Sequence, residues 1–392
     1  MPLLDALTEL SSSFFKGNNN TNHVNINKDT FTAINPQNLK DQIDSVTDLF
    51  RGYRQQDAHE FLITLLDLLQ DEMIKASNAN INRKVTSGGK EDSNIADSTV
   101  VLVDADIESI EAEVTVDSNK SVDDHTMEDE DKDYVYISSA SKSEENNSTD
   151  SKENKKQHVT DQFQMEITVK FTCESCDYTR SHVELYNHLS FEVPANNSII
   201  FTVEDALAKF FVSETLSLTC EHCGSSSAIH KSEIQNPPRA LLIHLKRFTV
   251  KGTWENLKIQ KNCSPVEFHK YLSLSPFMAA RCPSTKPMYR LKSIVHHIGS
   301  SADCGHYVTD ALYPQIREQP RKRSKLFQWY RFNDSVVIPT SWREVESSNK
   351  SAYMLLYELL DSSNHDDYLL STKTKWKYLT PRWWASKRAL IS

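Results

Sequence analysis

The sequence predicts an α+β fold, with helices at the start of the chain and a mainly antiparallel β region after them. Three observations carry that expectation. An apolar stripe at helical spacing lies between Asp57 and Met73, period-2 alternation begins at Phe163, and two Cys-x-x-Cys pairs sit among strand-like segments.

The elements follow in order. Leu3, Leu4, Leu7, Leu10 and Phe14 share one face of a helix over Met1–Phe15. Asn18–Asn27 is polar and rich in Asn and Thr, and reads as a loop. Asp57, with Glu60 three residues on, resembles the start of a capping box. Phe61, Leu62, Leu65, Leu66, Leu69 and Met73 then form the stripe of a core-facing helix. From Glu91 to Asp133 there are 16 acidic residues against two lysines, and no aromatic residue before Tyr134. Such a stretch buries too little apolar surface to offset its ordering entropy, so 77–158 reads as a disordered acidic insert. Thr99–Val103 and Asp133–Ile137 are short apolar patches within it. Phe163, Met165, Ile167, Val169 and Phe171 alternate with polar residues as a half-buried strand does. Tyr178–Leu185, Ala240–Phe248, Tyr289–Ile298, Tyr307–Leu312, Trp329–Phe332 and Ala352–Leu359 read as further strands, and Val203–Phe211 as a short helix. Asp361–Ser392 is a polar, partly basic tail.

Composition narrows the function classes. The chain has 392 residues, with Lys plus Arg 44 and Asp plus Glu 54, so 44 − 54 = −10. That balance disfavours nucleic acid as a partner. No run of about 18 apolar residues exists, so no membrane partner is expected. The first residues lack a charged start and an apolar core, so no secretory signal is read. An intracellular setting follows, cytoplasm and/or nucleus, where thiols stay reduced. Apolar residues make up 38% of the chain. The insert accounts for that low value, and without it roughly 310 residues remain, enough for one large domain.

Seven cysteines is an odd number, which argues against a disulfide scaffold. Cys173 and Cys176 form one Cys-x-x-Cys knuckle, and Cys220 and Cys223 form a second, followed by Gly224. Each knuckle aims two thiolates at one point, and two knuckles complete a tetrahedral zinc shell with bonds of about 2.3 Å. A shell closed by four protein ligands leaves no place for water or substrate, so the expected zinc is structural. His222 and His230 lie close by in sequence and read as bystanders.

A second constellation lies downstream. Gly305-His306-Tyr307 opens a strand after a loop of small residues, and Asn333-Asp334 follows another strand. A His at a strand start with an Asn-Asp pair nearby is one way a general base acquires an orienting partner.

The order of motifs is informative. Arg54-Gln55-Gln56-Asp57-Ala58-His59-Glu60-Phe61 comes first, then the two knuckles and Pro237-Pro238-Arg239-Ala240-Leu241-Leu242-Ile243-His244-Leu245-Lys246-Arg247-Phe248. Gly305-His306-Tyr307, Phe332-Asn333-Asp334-Ser335-Val336 and Ala352-Tyr353-Met354-Leu355-Leu356-Tyr357 complete the series. Together they resemble the ubiquitin-specific protease family of cysteine deubiquitinases. The resemblance implies a papain-like hand: a helical thumb over 1–76, zinc-bearing β fingers over 159–236 and an antiparallel β palm over 237–360. It implies His306 as general base, Asn333 as its orienter, Asp334 as a neighbouring support, and Asp57 as a contact for the ubiquitin tail. The implied partners are ubiquitin and ubiquitinated proteins.

One feature departs from the family. Its nucleophile lies in an N-terminal box of the form Gly-Asn-Thr-Cys-Tyr, and no cysteine precedes Cys173 here. The resemblance therefore implies a thumb truncated at its N-terminus, with the nucleophile absent. Two readings stay open: a fragment of an active deubiquitinase, and a pseudoprotease that binds ubiquitin without cleaving it. Cys304 lies two residues before His306, in a loop position rather than at a helix N-terminus facing the base. Cys263 and Cys282 read as ordinary small hydrophobes. A zinc-ribbon nucleic-acid module using the basic run Arg317–Lys325 is the other-class reading; it leaves the palm motifs unexplained and conflicts with the net charge.

Overall fold

The structure is a computed structural model, and it describes residues 1–19, 34–52, 54–87, 159–195, 200–251, 256, 258–280, 286–301, 305–319 and 322–360. Helix α1 spans Pro2–Asn19, α2 Gln37–Val46 and α3 Ala58–Ser87. Leu3, Ala6, Leu39, Ile43, Phe50, Leu65, Leu69 and Met73 bury together, so the three helices share one small core. Glu72 of α3 accepts from the backbone N–H groups of Leu3 and Leu4, at 3.1 and 3.0 Å. A carboxylate there satisfies two of the orphan donors that open α1.

The width of the α3 stripe has a structural cause. Phe61, Leu65, Leu69 and Met73 face α1 and α2. Ala58, Leu62 and Ile63 pack on a second cluster with Leu242, Tyr353 and Met354. The helix is thus apolar on two sides because it is sandwiched. It also runs to Ser87, so 77–87 are helical where the sequence predicts disorder. No Pro or Gly interrupts that stretch before Gly88 and Gly89, and α3 continues until its breakers. The rest of the expected insert, with Thr99–Val103 and Asp133–Ile137, lies outside the described residues. The chain divides into two compact units, Met1–Lys75 with Val135–Ser392, and Ala76–Tyr134.

The β region comprises β1 (Met165–Cys173), β2 (Thr179–Tyr186), β3 (Leu189–Glu192) and β4 (Phe201–Thr202), then α4 (Val203–Phe210), β5 (Glu214–Ser217) and β6 (Ser227–Asn236). There follow β7 (Ala240–Lys246), β8 (Phe248–Lys251), β9 (Lys258–Lys261), β10 (Val266–Glu267), β11 (Tyr271–Ser273) and β12 (Met288–Ile298). The last elements are β13 (His306–Gln319), β14 (Lys322–Asn333), β15 (Val336–Thr340), α5 (Trp342–Ser347) and β16 (Ala352–Leu359). One sheet has the order β2-β1-β6-β5 and carries both knuckles at one end. The large sheet has the order β15-β14-β13-β12-β16-β7-β3, with β11 paired to β12. The main core lies between these strands and α4, built on Ile243, Leu245, Leu291, Ile294, Leu355 and Tyr357.

The expected strands over Tyr307–Leu312 and Trp329–Phe332 are the inner halves of a longer hairpin, β13–β14. Its outer half, rich in Arg, Lys, Glu and Gln, lies outside the strands that the sequence predicts, and its order comes from cross-strand backbone pairing. Arg247 is fully buried and donates to four backbone carbonyls, those of Ala352, Asn262, Ser264 and Asn349, at 2.6 to 3.0 Å. One guanidinium fork thereby ties the end of β7 to two loops and the start of β16.

Candidate active site and metal centre

The two knuckles are built alike. Asp177 N–H donates to the Cys173 carbonyl at 3.0 Å, and Gly224 N–H donates to the Cys220 carbonyl at 2.9 Å. Asp177 and Gly224, each just past its knuckle, both adopt left-handed backbone, with φ of 56° and 76°. Gly enters that region freely and Asp tolerates it, which is why these residue types close the turns. The pairing of β1 with β6 then brings the knuckles together. All four Sγ atoms lie within 4.8 Å of one another. Cys173 and Cys223 stand 3.6 Å apart, and Cys176 and Cys220 3.8 Å. A tetrahedral ion with metal–sulfur bonds of about 2.3 Å has edges of about 3.8 Å, so the cradle fits a closed four-thiolate shell.

The thiols also differ from one another. Backbone N–H groups, that of Ser175 first, draw the Cys173 thiol down to about 6. At Cys176 the Tyr178 N–H pulls the same way, yet desolvation and the neighbouring sulfurs push the thiol up to about 12. Four sulfurs this close do not all ionise without a cation between them.

The histidine constellation lies on the large sheet. His306 opens β13, and Asn333 ends β14. His306 Nε2 stands 2.6 Å from Asn333 Oδ1. An amide oxygen only accepts, so Nε2 is the donor and Nδ1 is left as the basic nitrogen. Asp334 follows in left-handed backbone, with φ of 49°, and its Oδ2 is 3.8 Å from His306 Nε2. Asp334 is exposed, so a charge there acts on the ring only weakly through solvent.

Asp57 lies across the seam. Its Oδ1 accepts from the N–H groups of His59 and Glu60, at 2.7 and 3.0 Å, so it caps α3. Its Oδ2 accepts from the Tyr353 hydroxyl of β16. Burial and the adjacent Asp57 carboxylate push the Tyr353 phenol far above its ordinary range, so it stays a donor. The expected acidic residue is thus both a helix cap and a tie to the large sheet.

Sequence reasoning missed the groups beneath His306. His297 is buried against Phe248 and Tyr307, with ring centroids 5.1 and 5.0 Å away. Its ring leaves no space at residue 305, where a Cβ would come within 2.0 Å of His297 Nε2. Asp310 is fully buried and accepts a bidentate pair of bonds from Arg331 at 2.8 and 2.7 Å, and stands 3.1 Å from His296 Nε2. Burial opposes the charge on Asp310, but the bonds from Arg331 and His296 hold its carboxyl below the usual range. Asp310 and Arg331 are direct cross-strand partners, so the pair locks the register that sets His306 beside Asn333. A carboxylate and an arginine in sequences otherwise read as strand were the available signal. Cys263 is exposed rather than packed as a small hydrophobe. Cys282 and Cys304 lie outside the described residues.

Comparison with known proteins decides the family. Residues 3–357 match the family model described as ubiquitin carboxyl-terminal hydrolase. The chain belongs to that family. Membership bears out the ubiquitin-specific protease resemblance and the α+β hand-like fold that it implies. The chain is 27% identical over 338 residues to ubiquitin carboxyl-terminal hydrolase 2 of Gallus gallus, covering 85% of this chain and 76% of that protein. It is 27% identical over 333 residues to ubiquitin carboxyl-terminal hydrolase 2 of Homo sapiens, covering 83% of this chain and 44% of that one. With ubiquitin carboxyl-terminal hydrolase 36 of Drosophila mojavensis it shares 32% identity over 194 residues, 48% of this chain and 14% of that one. Among solved structures, a SAGA DUB module of Ubp8, Sgf11, Sus1 and Sgf73 bound to monoubiquitin aligns with 25% identity and a TM-score of 0.41, over 51% of this chain and 41% of that chain. No helix among the described residues is long and apolar enough to cross a membrane.

Proposed function

We propose that this chain engages ubiquitin and ubiquitinated proteins as part of a thiol-dependent deubiquitinase. In this reading 1–76 form one wall of the channel for the ubiquitin tail, 159–236 the fingers and 237–360 the palm. The observation that supports it is the His306–Asn333 pair at 2.6 Å, carried on β13 and β14. In the reaction, His306 Nδ1 takes the proton of a cysteine thiol, and the thiolate attacks the carbonyl of ubiquitin's terminal glycine. His306 then returns a proton to the leaving lysine amine. Asn333 holds the imidazole in the tautomer this requires, and Asp334 stands beside the ring as a neighbouring support. Asp57, held by Tyr353, is the proposed contact for the tail. The Cys173, Cys176, Cys220 and Cys223 cluster is proposed to hold one structural zinc, which when bound ties the ends of β1 and β6 together. These reduced thiols suit an intracellular setting, cytoplasm and/or nucleus.

The nucleophile shapes the expected activity. No cysteine lies ahead of Cys173, and removing the nucleophile from such a triad lowers turnover by about 10⁶. These 392 residues by themselves are therefore proposed to bind ubiquitin without cleaving it. The test is titration with labelled ubiquitin together with a thiol-reactive ubiquitin probe. Binding without labelling is the expected outcome. Joining a family-type Cys box ahead of Met1 should restore labelling, and His306→Ala should then abolish turnover. Labelling of the unmodified chain that disappears with Cys304→Ser would make Cys304 the nucleophile. Undetectable binding at high micromolar ubiquitin would end the proposal for this chain.

A further inference from the structure

The base is held by more than its orienter. Gln55 lies just ahead of α3, and Gly305 immediately precedes His306. The Gln55 side chain makes two bonds to that one residue. Its Nε2 donates to the Gly305 carbonyl at 3.2 Å, and its Oε1 accepts from the Gly305 N–H at 3.0 Å. The carboxamide thus pairs with a glycine backbone as a neighbouring β-strand would, across 250 positions of sequence. From the other side the His297 ring occupies the space where a Cβ of residue 305 would project. Gly305 is clamped between a hydrogen-bonding amide and a buried ring.

The consequence concerns the residue that follows. The peptide joining Gly305 to His306 contains the Gly305 carbonyl that Gln55 holds. Fixing this plane constrains the φ of His306 and the direction in which its side chain leaves the strand. The residues that open α3 make further ties nearby. The Ala58 N–H reaches the Tyr307 hydroxyl at 3.4 Å, and Asp57 takes the Tyr353 hydroxyl. Any displacement of the α3 start is therefore transmitted to β13 at its first residues.

We infer that Gln55 is a positioning residue for His306, setting the backbone plane from which the imidazole meets Asn333. This rests on the reading of His306 as the base. Gln55 touches no reacting atom. Its amide is matched to the task because one group must donate and one must accept at a fixed separation. A glutamate in its place would accept from the Gly305 N–H but, when ionised, would repel the Gly305 carbonyl. A methionine would keep the length and make neither bond.

The experiment uses the full chain and no ubiquitin, so its outcome is separate from that of the binding test above. Gln55→Met and Gln55→Glu are compared with the parent by amide hydrogen exchange at Gly305 and by the ¹⁵N signals of the His306 ring at about pH 8, where an imidazole is mostly neutral. The parent should show His306 mainly as the Nε2–H tautomer. Gln55→Met should raise exchange at Gly305 about tenfold, the equilibrium worth of roughly one hydrogen bond. It should also shift the ring toward a mixture of tautomers, the same change expected of Asn333→Ala. Gln55→Glu should keep Gly305 protection close to the parent while the ring is only partly mixed. Amides of Ile294 and Leu355, deep in the core, should be unchanged in all variants. Parent-like Gly305 exchange and tautomer in Gln55→Met would overturn the inference. So would an equal loss of protection at Ile294 and Leu355, which would make Gln55 a general support of the fold.

Discussion

Gly305→Ala is the sharpest perturbation that the structure offers. A Cβ there would lie 2.0 Å from His297 Nε2 and 2.5 Å from Cε1. Ordinary contact begins near 3.4 Å. One of the two groups must therefore move by 3.4 − 2.0 = 1.4 Å or more. His297 has little room to give, because it is buried and ringed by Phe248, Tyr307 and Tyr353. Overpacking of this kind costs about 1–3 kcal/mol. If the strand yields instead, both Gln55 bonds stretch, and each contributes about 0.5–1.5 kcal/mol. By either route the expected loss is about 1–3 kcal/mol, a sizeable share of a stability of roughly 5–15 kcal/mol. Urea unfolding of the full chain, followed by tryptophan fluorescence and circular dichroism, would measure it. His297→Ala on its own should also destabilise, by leaving a cavity. The decisive result is the double variant, because removing the ring makes room for the new methyl. Gly305→Ala with His297→Ala should fall short of the summed single losses by about 1–3 kcal/mol. A strictly additive cycle, or a Gly305→Ala variant as stable as the parent, would refute the reasoning.

Three further outcomes follow from the same geometry. Purified chain should carry about one zinc, and chelation or Cys220→Ser should unfold the β1–β2–β5–β6 sheet while leaving the α3 contact with Tyr353 in place; elemental analysis and exchange at Ala228 and Ile229 are the checks. Arg247→Met should destabilise by about 3 kcal/mol or more in denaturant titration, because four backbone carbonyls lose the guanidinium that donates to them. His244 is buried and stacked 3.7 Å from His59, and burial first, then the nearby His59, His188 and Lys246 charges, hold it well below its ordinary value. Its folded form resists a proton that the unfolded form accepts, so stability is unaffected above about pH 7 and falls as pH drops through about 6.5, by up to about 1.4 kcal/mol per unit; His244→Gln should flatten that slope in melts between about pH 7 and 5.

Much of this protein is legible in its residues alone. The apolar period of Phe61–Met73 requires a helix, and the alternation of Phe163–Phe171 requires a strand, because each pattern buries apolar surface only at its own period. The two knuckles were equally local, since four thiols at Cys-x-x-Cys spacing have few other uses. His306 and Asn333 were legible through the order of motifs around them, not through any local pattern. What only the tertiary structure decided is which distant groups meet. The helical character of 77–87, the outer half of the β13–β14 hairpin and the short helices α2 and α5 depend on breakers, backbone pairing and packing that composition understates. Gln55 reads in sequence as one more polar residue in a motif, and Gly305 as a turn glycine. Their pairing spans 250 positions, and the His297 ring that demands the glycine lies on a neighbouring strand. Hydrogen bonds and steric exclusion act over about 3 Å, so their partners are set by where the folded chain returns to itself, and no periodicity in the sequence records that return.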